Sequence, residues 1–307
     1  MAPDESSSAT AALRDMLASV SEGATPPTIG LTRLVLACAN EAAFAAAISA
    51  IRQSLKGQRG EEAERLAALV ALADDTPNAW TLVRSLAGAV SHASRGDDSL
   101  EIRLAELAAA FDRAAALSPE ASVALYSLGR PALLDAATAE VVAYLESLSL
   151  VGSDRALLDI GCGVGRFERA LAGRVAGILG LDISPAMIAI ARRDCAGLAN
   201  VDIRLSSGLD LSGVDGASID CALAVDAFPY IVLAAHDLPG RLFGEIARVL
   251  KPSGDLLIAN YSYRADPSAD PADIARLAQV YGFGVLRSDE RPFRSWDGRV
   301  FHLGKKA

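Results

Sequence analysis

The sequence predicts an α/β protein, a mostly parallel, doubly wound sheet preceded by an all-α helical region. Three observations carry that prediction. Between residues 157 and 303, short apolar runs alternate with helical stripes, the order that builds parallel βαβ units. One of those runs, Leu157-Leu158-Asp159-Ile160-Gly161-Cys162-Gly163-Val164-Gly165-Arg166-Phe167, passes into a helical stripe through three glycines at alternate positions. Before residue 120 the apolar residues recur at helical spacing only.

The glycine run is the most informative element. Leu157 and Leu158 lead to the carboxylate of Asp159, and Phe167, Ala170 and Leu171 begin a helix immediately after the glycines. Alternate glycines admit positive φ and let a ligand touch bare backbone. A turn at the C-terminal end of a parallel strand is where open α/β sheets bind ligands. The spacing departs from the dinucleotide fingerprint, because the third glycine comes one residue early and Arg166 fills its place. No Gly-Lys-Ser/Thr follows, which excludes a phosphate-cradling P-loop. The D-x-G-x-G-x-G run resembles the first motif of the class I S-adenosylmethionine-dependent methyltransferases. A tight turn with no ligand is the bland alternative.

The following segments resemble that family in order. Residues 174–182 read as a second strand ending in Asp182, at the strand tip beside the glycine loop. Ser184-Pro185 makes the better helix cap and first-turn pair, which leaves Asp182 for a ligand. The resemblance implies that Asp182 accepts hydrogen bonds from both ribose hydroxyls and that Ile183 packs on adenine. Residues 200–211 resemble the third strand and adenine edge, with Ser207 where the family usually has an acidic residue and Gly208 and Leu209 framing the ring. Residues 218–230 resemble the fourth strand and acceptor-side loop. A helix at 241–250 ends at Lys251-Pro252-Ser253-Gly254, where Ser253 replaces a family glycine. A strand at 255–261, a helix at 271–280 and strands near 283–286 and 299–303 follow. The resemblance covers roughly residues 130–307. It implies a seven-stranded sheet with an antiparallel last strand and S-adenosylmethionine as cofactor. The implied cofactor-binding residues are Asp159, Gly161, Cys162, Gly163, Gly165, Asp182, Ile183, Ser207, Gly208, Leu209 and Val225.

The implied reaction is methyl transfer to O or N of a small-molecule acceptor. A carbon methyltransferase and a non-catalytic S-adenosylmethionine-binding module are the alternatives. His236 and Asp226 follow the fourth strand and are the candidate bases; Asp226 has two other readings, as a helix cap or as a partner of the cofactor's amino group. Tyr230, Tyr261, Tyr263, Arg264 and Trp296 are candidate acceptor-binding residues, with strand alternation turning Tyr261 and Tyr263 to one face. Arg264 suits an anionic acceptor. Tyr126 and Arg130 stand where relatives recruit residues to the methionine carboxylate.

Composition narrows the partners. The 307 residues are 51% hydrophobic and 5% aromatic, with a formal net charge of −9. Acidic excess is spread along the chain, so a basic nucleic-acid groove is not expected. The apolar stretch Leu31–Ile51 is interrupted by Arg33, Asn40 and Glu41, unlike a membrane span. The polar N-terminus is unlike a signal peptide, and the four cysteines lack metal spacing. No metal and a reduced, cytoplasmic setting are expected. Residues 1–97 are read as a helical domain, its first ten residues disordered, and 98–307 as the catalytic domain. The boundary rests on the break in pattern near 93–100. Stripes such as Phe44-Ile48-Ile51-Leu55 need partners, so the helices should pack as a bundle, a candidate dimerisation module. Thr76-Pro77 and an Asp98–Glu101 box read as helix starts.

Overall fold

A computed structural model describes residues 5–89, 99–264 and 266–306. These residues divide into two compact units that interleave along the chain. One takes the chain up to Ala89 with Glu120–Ala137 and Phe293–Asp297; the other takes residues 99–119, Thr138–Pro292 and 298–306. This division is not the contiguous one at residues 97 and 98 expected from the break in pattern.

The first unit is helical, with α1 (Glu5–Ser21), α2 (Pro27–Ala37), α3 (Glu41–Ser54), α4 (Glu61–Asp75) and α5 (Ala79–Ala89). Their apolar stripes meet in a core of Val20, Leu31, Leu34, Ile48, Ile51, Leu69 and Val83. Leu128, from beyond α7 (Pro119–Val123), belongs to that core too, which is why the later segment joins this unit. Asn40 caps α3, its Oδ1 accepting from the Ala43 N–H at 2.9 Å.

Three local expectations change. Helix α1 begins at Glu5, inside the stretch expected to lack order; the alanine-rich sequence that follows favours helix. Thr76 closes α4 instead of opening α5, which starts at Ala79 after a Pro77-Asn78 turn. Asp98 lies outside the described residues, as do His92 and most of the expected break. Ser99 caps α6 (Leu100–Leu117), its Oγ accepting from the Ile102 N–H at 3.4 Å.

The second unit contains a seven-stranded sheet in the order β3-β2-β1-β4-β5-β7-β6. Its strands are β1 (Ala156–Ile160), β2 (Gly177–Asp182), β3 (Val201–Leu205), β4 (Ile219–Val225), β5 (Leu250–Ala259), β6 (Phe283–Glu290) and β7 (Val300–Lys305). β1 to β5 pair in parallel, and β7 runs antiparallel to both β5 and β6, as the resemblance implies. The helices are α8 (Pro131–Ser147), which the division between units cuts, α9 (Arg166–Leu171), α10 (Pro185–Asp194), α11 (Phe228–Ala234), α12 (Leu238–Val249) and α13 (Asp270–Val280).

Covered strands read as continuous apolar runs, as Cys221–Val225 and Leu256–Ala259 do. Helix α12 buries Phe243, Ile246 and Val249 against β4 and β5. At Lys251–Gly254 the register slips from Ile219↔Leu250 to Cys221↔Asp255. Ser253 takes φ 61° there, a conformation suited to the glycine it replaces. Strand order reverses between β1 and β4, and the C-terminal tips at such a switch point are where open α/β sheets bind ligands.

Candidate active site

The chain turns sharply after β1. The N–H groups of Gly161 and Cys162 both donate to the Leu181 carbonyl, at 2.7 and 3.0 Å, and the Gly163 N–H donates to Asp182 Oδ2 at 2.9 Å. Gly161, Gly163 and Gly165 take φ 80°, 54° and 76°. Gly161 and Gly165 also serve close approach. A Cβ on Gly161 would stand 2.6 Å from the Ala227 Cβ across the switch point. A Cβ on Gly165 would stand 3.1 Å from the Ala191 Cβ, so this glycine lets α9 start against α10.

Asp182 is more committed than the sequence suggests. Its Oδ1 accepts from the Ser184 N–H at 2.8 Å while Oδ2 holds Gly163. Each oxygen keeps a further lone pair for a ligand hydroxyl. Burial raises its carboxyl above the usual range, and the backbone N–H groups oppose that rise. Ser184 caps α10 as expected, its Oγ accepting from the Met187 N–H at 3.1 Å. Asp112 of α6, absent from the sequence reading, takes the Ser184 hydroxyl at 2.5 Å and the Ala186 N–H at 2.9 Å.

Asp159 sits one residue inside the tip of β1. Both its oxygens are buried and without a partner. Burial pushes its carboxyl up to about 7, against the pull of the Arg166 guanidinium and with Asp182 adding to the rise. Glu168, another residue the sequence reading missed, lies beside it, fully buried with both oxygens unpartnered. Cys162 is buried, and all four cysteines are free thiols.

The expected adenine side brings Ile183 and Gly208 together. A Cβ on Gly208 would stand 2.9 Å from Ile183 Cγ2 and 3.4 Å from Leu104, so a leucine of α6 roofs this corner. Ser207 Oγ accepts from the Leu209 N–H at 3.2 Å and braces its own turn. Leu209 packs against the cluster of Leu104, Leu238 and Leu242, and Val225 is buried at the end of β4.

Asp226 and Asn260 end β4 and β5 with φ 58° and 63°, the kind of local strain that gathers at functional sites. Asp226 Oδ1 accepts from Asn260 Nδ2 at 2.6 Å and from the Tyr263 hydroxyl at 2.9 Å. Asn260 is fixed by Arg299, giving its N–H to the Arg299 carbonyl and accepting the Arg299 N–H at 2.9 Å. Tyr230 packs edge-on against Phe111 at 4.8 Å and against Tyr263 at 5.8 Å. Burial, with the Asp226 carboxylate, raises the Tyr230 phenol. The cap reading of Asp226 fails, because Ala227 precedes α11 and that helix start has no side-chain cap.

Other candidates are placed elsewhere. β5 ends at Ala259, so strand alternation does not govern Tyr261 and Tyr263. Tyr261 is buried on Phe228, ring centroids 5.8 Å apart, whereas Tyr263 is about half exposed. The Arg264 guanidinium is held by Asp273 at 2.7 Å and Asp270 at 3.7 Å, which leaves it poorly placed for an anionic acceptor. Trp296 belongs to the helical unit, stacked on Tyr126 at 5.6 Å and Phe293 at 4.8 Å. Arg130 pairs with Asp75 in that unit, at 3.6 Å. His236 is exposed in the turn between α11 and α12, and His302 of β7 bonds Asp255 at 2.8 Å. Among the described residues no His, Cys, Asp and Glu group could hold a metal, and no helix is long and apolar enough to cross a membrane.

Residues 158–258, from β1 to the last turn of β5, match the family model described as a methyltransferase domain. Over that stretch the chain is similar to the methyltransferase family, on a sheet of the class I order. The demethylmenaquinone methyltransferase of Tropheryma whipplei (strain Twist) is 37% identical over 107 residues, which cover 35% of this chain and 42% of that protein. The O-methyltransferase cnsE of Penicillium expansum is 30% identical over 139 residues, 44% of this chain and 48% of that one. The chain thus spans less than half the length of these relatives. Among solved structures, the Haemonchus contortus phosphoethanolamine N-methyltransferase 1 with phosphoethanolamine and S-adenosylhomocysteine superposes with TM-score 0.56 at 15% identity, covering 68% of this chain and 50% of that one. That likeness is one of fold.

S-adenosylmethionine is the cofactor that the resemblance implies, and the residues present fit that group. Asp159 offers two buried, unpartnered oxygens, whose cost in water-free surroundings a cationic ligand group relieves. Asp182 retains lone pairs at the neighbouring strand tip. Positive-φ glycines leave backbone without side chains between them, exposed at Gly161.

Proposed function

We propose that this protein transfers a methyl group from S-adenosylmethionine to oxygen or nitrogen of a small-molecule acceptor. The observation that carries the reading is the pair of buried carboxylates, Asp159 and Asp182, flanking a three-glycine turn at the switch point of the sheet. Support for oxygen comes from the fungal O-methyltransferase among the relatives.

When bound, the cofactor would supply an electrophilic methyl, to which an acceptor lone pair forms a bond in line as the methyl–sulfur bond breaks and S-adenosylhomocysteine leaves. The chain's residues supply alignment, and near-attack geometry is worth up to roughly 7–11 kcal/mol. Asp182 holds the ribose hydroxyls, and Asp159 faces the cationic methionine end. Ile183, Gly208 and Leu104 enclose the adenine. On the acceptor side Tyr230, Tyr263 and Phe111 form an aromatic wall beside Asp226. Asp226, oriented by the Asn260 amide and Tyr263 hydroxyl, takes the acceptor's proton where that group is protonated.

Titration calorimetry with S-adenosylhomocysteine and with NAD tests the cofactor reading: binding of the first and not the second is expected. A metabolite-pool screen with labelled methyl donor tests turnover. Cofactor binding with no labelled product would favour a binding module instead.

A further inference from the structure

Glu168 is the buried group that the methyl-transfer reading leaves without work. It is the third residue of α9, in the helix's first turn, and is fully buried, as is Asp159 beneath the glycine loop. No donor from any other described residue reaches their four oxygens, which leaves the two carboxyls only each other. The fold makes room for this carboxyl: a Cβ on Gly180 of β2 would stand 2.5 Å from Glu168 Oε1, so any side chain there would expel it. Two carboxylates facing each other in a dry site cannot both ionise at little cost, so a shared proton is the low-energy arrangement.

We infer that Glu168 is a positioning residue that stays protonated and donates a hydrogen bond to Asp159, aiming that carboxylate at the cationic end of the cofactor. The inference rests on the methyltransferase reading for its ligand, but its proton chemistry belongs to the protein alone. Burial and the neighbouring Asp159 both raise Glu168 well above the ordinary carboxylate range. The same bond lowers Asp159, opposing the burial that holds it at about 7. The surrounding charged and titratable groups are Arg166 and Arg169 of α9, Asp182 of β2, Cys162 of the loop and Cys195 of α10, with Asp112 of α6 acting on Asp182. Arg166 Nη1 is itself buried and unpartnered. The pair therefore carries one negative charge toward the ligand instead of two.

The sign follows from linkage. A carboxyl raised in the folded state contributes stability below the ordinary carboxylate range, and that stability is lost as pH rises toward the raised value. Ligand-free wild type should accordingly lose thermal stability across that window, and Glu168→Gln should flatten the profile. Infrared spectra of the ligand-free protein at about pH 9, above the range in which Asp159 titrates, should show a protonated-carboxyl band that Glu168→Gln removes.

Binding gives the second readout. S-adenosylhomocysteine affinity should fall by up to about tenfold per pH unit below about 7, as Asp159 takes a proton. Glu168→Gln, whose amide can donate the same bond, should keep that midpoint and bind within about threefold of wild type. Glu168→Leu should move the midpoint upward and bind about tenfold more weakly. A merely structural Glu168 would lower stability without moving the midpoint. Equal midpoints in all three proteins would overturn the inference, as would identical ligand-free pH profiles in wild type and Glu168→Gln. If the variants fail to fold, absence of the protonated-carboxyl band from wild type overturns it and its presence supports it. If wild type binds no S-adenosylhomocysteine, the methyltransferase reading fails, while the ligand-free measurements still decide the state of Glu168.

Discussion

Replacing Asp182 by alanine removes a carboxylate that braces the protein and, in the proposed function, holds the ligand too. The Gly163 and Ser184 N–H groups, at 2.9 and 2.8 Å, would both lose their acceptor. Hydrogen bonds to a charged group contribute about 1.5–3 kcal/mol each, so the gross loss is about 3–6 kcal/mol. Burial of the carboxylate offsets part of this, as its raised titration range shows. A net loss near the lower bound, about 3 kcal/mol, corresponds to a fall in Tm of roughly 6–12 °C for a unit of this size. Calorimetric melting of the ligand-free variant measures that term. Titration with S-adenosylhomocysteine below the new Tm measures the second, a loss of about tenfold or more if one ribose bond of at least 1.4 kcal/mol disappears. An unchanged Tm would refute the bracing of the glycine turn by Asp182. A folded variant with wild-type affinity would refute the ribose assignment.

Gly161→Ala should lower Tm and weaken S-adenosylhomocysteine binding, because its Cβ would meet the Ala227 Cβ at 2.6 Å with φ at 80°; adding Ala227→Gly should recover part of the stability. Gly165→Ala should lower Tm through crowding of Ala191 and Cys195, with a ligand-induced Tm shift still present in whatever remains folded. Asp226→Asn should reduce kcat by about a hundredfold or more with cofactor affinity little changed, whereas His236→Ala, at an exposed turn, should stay near wild type in steady-state assays. Removing residues 1–97 should leave a fragment that aggregates in sedimentation analysis, since it strips Leu128 of the core formed by Val20, Leu31, Leu69 and Val83.

How much the sequence discloses depends on how far apart the interacting residues lie. The fold around the proposed cofactor side of the sheet is legible because strand, turn, helix and acidic tip follow one another within a short stretch, and each leaves a local signature. Even there the signature is coarse. Three glycines that look equivalent differ in what they serve, since Gly161 clears Ala227 and Gly165 clears Ala191, contacts no periodicity reveals. Glu168 reads as an ordinary first-turn helix residue until Gly180 and Asp159 are seen around it. Tyr261 and Tyr263 look like neighbours on one face, but the left-handed turn at Asn260 ends the strand before alternation can apply. Arg264 could have been read better: Asp270 and Asp273 in the first turn of α13 are a nearby pair of partners.

The acceptor side is harder for a physical reason. Its wall joins Phe111 of α6, Tyr230 of α11 and Tyr263 beyond β5, residues more than thirty positions apart that meet only when the sheet is assembled. Helix α6 is the least legible of these parts. On sequence it is one more amphipathic stripe among the N-terminal helices. In the structure Leu104 roofs Ile183 and Gly208, Asp112 binds the first turn of α10, and Phe111 meets Tyr230. One helix therefore touches the corner proposed for adenine, the first turn of α10 and the wall proposed for the acceptor. Substitutions on its inner face should consequently couple cofactor affinity to acceptor KM, whereas substitutions in Ser207, which only braces its own turn, should alter neither. Double-mutant cycles between Leu104 and Tyr230 measure that coupling directly, and strict additivity would show that α6 covers the site without linking its two halves.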